Sequence, residues 1–173
     1  AASANYLGTV QNHMKTGETF DFVTKGLPVS LISDSLDDNY RIDRATTATG
    51  RNVSVAQGYK GMDFFSSMYP QNIDDFRKDL GICDNTTNFI YNGTQSRFVI
   101  NSLLGARYFI AAEGEEHLVP YGYRFVSTIE GSSTGDTFLL YENDSALPLA
   151  FTYDTAVSQA TYNSANTVEK QEL

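Results

Sequence analysis

Cysteine is nearly absent from this chain. Cys83 is the single thiol, so no intramolecular disulfide can close, and a secreted scaffold stapled by disulfides is excluded. An exported protein of a Gram-positive cell surface is not excluded, since many of these use no cysteine bridges. Histidine is equally sparse: His13 and His117 are too few for most zinc sites. Positive charge is scarce, with 12 Lys and Arg against 21 Asp and Glu and a net charge of −9. An acidic surface repels phosphate backbones, which argues against nucleic acid as a partner, and it weakens flat docking on an anionic leaflet. No apolar run reaches the roughly eighteen residues of a membrane helix. The longest candidate, residues 98–112, is broken by Asn101, Ser102, Gly105 and Arg107. No basic start followed by an apolar run marks a signal peptide. These features predict a soluble chain.

What is present is a sequence able to fold. Hydrophobic residues make up 41 % of 173 positions, enough for one domain with a sizeable core and too many for a disordered chain. Tyr6, Val10 and Met14 fall four apart, and Leu31, Ile32 and Leu36 follow Pro28, which suits a first helical turn. Residues 1–39 therefore read as an N-terminal helical segment, and residues 40–173 as an α+β region, the two forming one compact domain. Tyr40 to Arg44 alternates apolar and charged, the mark of a half-buried strand. In that strand Arg44 shares the apolar face, so it should find a carboxylate or emerge at an edge. Residues 52–59 alternate through Val53 and Val55 and read as a second strand.

Residues 72–80 read as a short helix with Asn72 as N-cap, acidic residues in its first turn and Gly81 just past its end. Residues 84–93 read as an exposed polar loop around a brief Phe89-Ile90-Tyr91 segment. Residues 98–104 read as a helix ended by Gly105, and residues 107–112 as a buried strand. Leu103, Leu104, Tyr108 and Ile110 are expected core residues. Residues 121–129 and 137–142 form a hairpin, residues 149–153 a last strand, and residues 163–173 turn helical. Helices first, then strands interleaved with helices, predict an α+β fold with a mostly antiparallel sheet covered on one face by helices.

Few residues point to chemistry. The acidic pairs Asp37-Asp38, Asp74-Asp75 and Glu115-Glu116 diverge on either a helix or a strand, and read as solvated helix ends or turns. Asp34 and Asp38 share a helical face and have the carboxylates for a hard cation, but no calcium-loop pattern surrounds them. His117 reads as an exposed loop residue, and Cys83 has no basic neighbour to activate it. No GxSxG elbow, phosphate-binding loop or dinucleotide fingerprint occurs, so no cofactor and no metal is expected. Tyr59, Phe64, Phe65, Tyr69, Tyr121 and Tyr123 lie among glycines, serines and asparagines. Such rings serve either core packing or a sugar-binding groove, where apolar ring contact joins directional polar groups. The candidate ligand-binding residues are Arg41, Arg44, Tyr59, Lys60, Ser66 and Tyr123. Four Asn-x-Ser/Thr sequences, at Asn52, Asn85, Asn92 and Asn143, match glycan acceptors but also arise by chance in Asn-rich turns.

Several segments carry a resemblance, in order along the chain. They are Tyr40-Arg41-Ile42-Asp43-Arg44, Asn52 with Gly58-Tyr59-Lys60-Gly61, Phe65-Ser66-Ser67, Leu80-Gly81 and Ser102-Leu103-Leu104-Gly105-Ala106-Arg107-Tyr108. Pro120-Tyr121-Gly122-Tyr123, Tyr141-Glu142-Asn143, Ala146-Leu147-Pro148-Leu149-Ala150 and Glu169-Lys170-Gln171 follow. From Tyr40 to the C-terminus the chain resembles the extracytoplasmic part of the YfhO family of bacterial polytopic membrane proteins. The resemblance implies a parent that is glycosyltransferase-like, takes sugar from a lipid-phosphate carrier and decorates cell-wall polymers such as teichoic acid. It implies a location on the outer face of the cell membrane, with the parent's own membrane-embedded region and a glycopolymer as partners. It carries no catalytic residue onto this chain, because the catalytic carboxylate of such enzymes sits in a loop between membrane helices that nothing here matches. A structural cap without a ligand and a soluble glycan hydrolase are the alternatives.

Overall fold

The structure is a computed structural model that describes residue 29 and residues 39–45, 52–68, 70–82, 90–130 and 136–173. Of the expected N-terminal helices only Val29 is described; it is helical and buried in the main core. The remaining expectations for residues 1–38, together with those for Asp34, Asp37, Asp38, Tyr69, Cys83 and Asn85, lie outside the described residues.

A four-stranded sheet organises the fold in the order β1 (Arg41–Arg44), β4 (Ala106–Ala112), β6 (Thr137–Glu142), β5 (Arg124–Glu130). β1 runs parallel to β4, and the other two pairings are antiparallel. The expected hairpin is β5–β6, with Val126 an extra residue where the register shifts between Phe125 and Ser127. β2 (Phe64–Phe65) and β3 (Ile90–Tyr91) form a separate two-stranded ladder. There Phe64 stacks on the buried Tyr91 ring at 4.4 Å. The class is α+β, with mostly antiparallel pairing.

The two faces of β1 and β4 are packed by different material. Ile42, Tyr108, Ile110, Phe138, Leu140 and Ile129 form one apolar cluster, joined by Val53 and Val29. Asp43, Phe109 and Ala111 point the opposite way, as the alternation of a strand requires, and meet α3 (Phe98–Leu103) and the loop before it. A parallel pair buried on both faces has no solvated side, so the charged residues of β1 do not mark a wet face. Of the expected core residues, Tyr108 and Ile110 are buried, while Leu103 and Leu104 are half-buried. Leu104 packs against a second cluster of Leu80, Ile82 and Ile100 between α3 and α2 (Gln71–Asp79).

Three local expectations are corrected. Residues 53–57 form a helical turn, α1 (Val53–Gln57), and no strand. Residues two apart share a face in a strand but lie nearly opposite on a helix, and Val53 is 0 % exposed while Val55 is 78 % exposed. Left-handed Asn52 and Gly58 bracket the turn. Asn52 fixes its start by donating from Nδ2 to the Phe65 carbonyl (3.0 Å) and accepting from the Phe65 amide at Oδ1 (2.8 Å). Asn72 does not cap α2: Pro70 precedes the helix, and no side chain caps it. At the other end Gly81, with φ 64°, stands where a left-handed residue was expected. Residues 149–153 form no strand. Their apolar alternation is real, but they pair with no described strand, and Leu149, Phe151 and Tyr153 are exposed. The C-terminal residues contain α4 (Gln159–Ser164) and a 3-10 turn, Glu169–Gln171. Lys170 and Tyr162 tether this segment to Asp79 at the end of α2.

Candidate functional site

The site forms where β1 ends. Asp43 is 3 % exposed and lies on the face of β1 away from the apolar cluster. Its Oδ1 accepts from the Arg44 amide (3.0 Å), its Oδ2 lies 3.4 Å from Asn101 Nδ2 on α3, and the Thr94 amide also donates to it. All these donors are neutral. Burial therefore dominates and pushes the carboxyl up to about 6, against the opposing pull of the hydrogen bonds.

Around Asp43 the network is closed. Thr94 Oγ1 donates to Asn101 Oδ1, and Asn101 Nδ2 donates to Tyr123 Oη (3.1 Å). Tyr123 Oη in turn donates to the Ala106 carbonyl (2.5 Å). The Tyr123 ring meets Phe98 and Phe109 edge-on at 6.4 and 5.8 Å. Burial, with the Asp43 charge beside it, raises the Tyr123 hydroxyl well above the ordinary phenol range, so it stays protonated and acts as a donor.

Asn92 to Ser96 form the outer wall. Gly93, Gln95 and Ser96 all have positive φ, of 41, 57 and 62°. Non-glycine residues rarely adopt this conformation unless the surroundings impose it. Here they do. A Cβ on Gly93 would lie 2.5 Å from Asp43 Oδ1, so only glycine fits against the carboxyl. The Gly93 carbonyl accepts from buried Arg77 (2.6 Å), and Ser96 Oγ donates to the Leu118 carbonyl (2.9 Å). The result is a small cleft of about 90 Å³ lined by Asp43, Arg44, Ala45, Asn92, Gly93, Gln95, Ser96, Phe109 and Leu118.

Arg44 closes the other side of β1. Its Nε and Nη2 donate to Asp63 Oδ1 and Oδ2 at 3.1 and 2.6 Å, a two-point pair with both side chains buried. Burial works to lower the guanidinium's basicity, but the Asp63 hydrogen bonds and charge outweigh it and raise it. The carboxylate partner expected for Arg44 is thus Asp63.

The other candidate residues scatter. Arg41 is half-buried and donates to the Leu104 carbonyl. Tyr59 packs against the apolar cluster, and its buried hydroxyl has no hydrogen-bond partner among the described residues. The Lys60 side chain is exposed, while its carbonyl accepts from the Ile42 amide. Ser66 Oγ donates to the Met68 carbonyl in a local turn (2.6 Å). Tyr123 supports the network behind the cleft, and Arg44 alone of the six lines it. His117 is exposed in a 3-10 turn, Glu116–Leu118. Among the described residues no cluster of three or more His, Cys, Asp or Glu could hold a metal ion. Asn143 is 1 % exposed, with Nδ2 donating to Ser102 Oγ, so it is no glycan acceptor in the folded chain.

Sequence reasoning missed Asp43, Asn101 and the Gly93–Ser96 wall as site components. Two signals were available: Asn101 is a polar residue inside an apolar run, and Asn92-Gly93 is a turn dipeptide.

These elements define a class, a small α+β domain with a small cleft of mixed apolar and polar lining at the end of β1, and none of its described helices is long and apolar enough to cross a membrane. The family model described as bacterial membrane protein YfhO matches residues 10–173, and the chain belongs to that family. The match begins 30 residues before Tyr40, where the sequence resemblance was first legible. No curated protein and no solved structure matches the chain.

Proposed function

We propose that this chain is an extracytoplasmic accessory domain of a YfhO membrane protein that transfers sugar from a lipid-linked donor. It holds an acceptor glycopolymer such as teichoic acid near a Gram-positive membrane and catalyses nothing by itself. The observation that supports this reading is the recess at the end of β1. Its floor is Phe109, its rim carries neutral polar side chains, and its wall is fixed by Arg77, Asp43 and Asn101. A small preformed concavity with a few placed polar groups is suited to holding a ligand. The hydrolase alternative finds less support: Asp63 is occupied by Arg44 on the far side of β1 and does not line the cleft beside Asp43. The test is titration of purified teichoic acid into the chain, followed by amide NMR shifts. Weak, saturable shifts without glycan turnover are expected. Absence of any shift, or turnover by the chain alone, overturns the reading.

A second reading, a cap that only contacts the parent's membrane-embedded region, is favoured by one observation. From Ser145 to Val168 the chain carries a single charge, Asp154, yet leaves Leu149, Phe151, Tyr153 and Val157 exposed. Such a stretch is suited to being covered. Alanine at these four positions should then weaken assembly of the full-length parent and leave polymer shifts unchanged.

A further inference from the structure

We infer that the cleft at the end of β1 receives one edge of a neutral sugar and rejects the phosphate of a phosphodiester polymer. This rests on the accessory reading above and names the part of the polymer that is recognised.

Size limits the occupant first. The cleft measures about 90 Å³, whereas a protein cavity that takes up benzene measures about 150 Å³. A whole pyranose ring does not enter. A hydroxymethyl arm, or two neighbouring ring hydroxyls with the carbons between them, does.

Wall chemistry then selects for hydroxyls. Phe109, Leu118 and Ala45 supply apolar surface for C–H groups, and Asn92, Gln95 and Ser96 are neutral polar residues of the lining. Amides and hydroxyls both donate and accept, as sugar hydroxyls do, whereas an ionised phosphodiester only accepts. Ser96 Oγ already donates to the Leu118 carbonyl, which leaves its lone pairs to receive a ligand O–H.

Charge excludes the anion. Asp43 and Arg44 are the charged residues of the lining, and the Arg44 guanidinium is turned to the other side of β1, where it directs two donors at Asp63. Two carboxylates thus stand against one guanidinium. Protonating Asp43 makes the group neutral, and no state of the trio is net positive. Phosphate recognition needs uncommitted cationic donors, which this group does not supply.

The wall is also preorganised. Gly93 is held by Arg77 at its carbonyl and lies close against Asp43, and Ser96 is held by its bond to the Leu118 carbonyl. A ligand therefore orders little on entry, which matters for a contact this small.

The experiment is amide NMR of the full 173-residue chain with methyl glucoside, methyl galactoside and methyl N-acetylglucosaminide, each up to about 100 mM, which loads a site of millimolar affinity. Inorganic phosphate is titrated in parallel. At least one glycoside should give saturable shifts confined to residues 43–45, 92–96 and 118, with none from phosphate. Ala45→Leu, which fills the cleft, should weaken the glycoside at least tenfold, and Ser96→Ala several-fold. The cleft assignment is overturned if no glycoside shifts these amides, if phosphate shifts them as well as sugar, or if folded Ala45→Leu binds like the parent chain. Should Ala45→Leu fail to fold, unchanged binding by Ser96→Ala overturns it instead. Polymer shifts that survive Ala45→Leu remove the cleft and leave the accessory reading standing, whereas no polymer shift in any variant removes both.

Discussion

Asp63 and Asp43 are 4 % and 3 % exposed, and both bond to Arg44, yet the two sides of β1 satisfy them differently. Asp63 meets the guanidinium at two points beside the apolar cluster. Asp43 meets only amides, one on the strand itself, one on the Asn92–Ser96 loop and one on α3. A buried guanidinium matched by a carboxylate keeps its charge in a dry place. A charge matched by neutral donors yields to burial and takes up a proton close to physiological pH. The first arrangement locks a core, and the second puts a carboxyl held by neutral donors in the lining of the cleft.

This contrast can be broken from the Asp63 side with the largest expected effect. Asp63→Ala leaves the Arg44 guanidinium buried and unpaired, and urea denaturation should show a loss of about 3–5 kcal/mol. The double replacement Arg44→Met with Asp63→Leu should recover most of that loss, because the attraction within a buried pair is largely offset by its desolvation.

The Asp43 side is sharpened by pH. Its carboxyl stands at about 6 in the folded chain against an ordinary 3.8. The folded chain therefore keeps a proton that the unfolded chain releases. The stability this contributes is fully present below about pH 4 and is lost as pH rises through about 6, a fall of about 3 kcal/mol. In Asp43→Asn that fall should vanish, leaving denaturation midpoints level between pH 4 and pH 7. A wild-type chain whose midpoint climbs across the same range contradicts the assignment.

The polar wall itself predicts a smaller loss. Tyr123→Phe removes the hydroxyl between Asn101 and the buried Ala106 carbonyl, and should cost about 1–3 kcal/mol in urea denaturation. The smallest effect lies far from either carboxylate. Asp79 is half-exposed and holds Lys170 at 3.4 Å, so Asp79→Ala should cost less than about 1 kcal/mol. It should nonetheless raise hydrogen exchange in α4.

The sheet was legible in the sequence because its signal is repetitive. Alternation marked β1, the apolar run Phe109 to Ala112 marked β4, and two β-rich segments around a glycine- and serine-rich turn marked β5 and β6. The stops at Gly81 and Gly105 were legible because left-handed positions favour glycine. α1 was not, since Val53 and Val55 are two apolar residues that fit either period, and the deciding contact is Asn52 with Phe65, 13 positions away. Residues 149–153 failed for the opposite reason: their alternation is strand-like, but a strand exists only beside an edge. The site was the least legible part. Arg44's need for a carboxylate could be argued from its face of β1, but which carboxylate could not. Asp43 has the same spelling whether it faces water or Asn101, and only the fold brings Thr94, Asn101 and Tyr123 to it.

The extra residue Val126 in β5 bears on how copies of this domain coexist. β5 is the last strand of the sheet, and an uninterrupted last strand is a template on which a second chain can lay its own backbone. The shift between Phe125 and Ser127 puts the donors and acceptors of the outer edge out of step with any straight newcomer. Phe125 and Val126, 50 % and 42 % exposed, would otherwise make that edge adhesive. A protein tethered to a membrane is crowded in two dimensions, and one extra residue in a strand works against its copies pairing edge to edge.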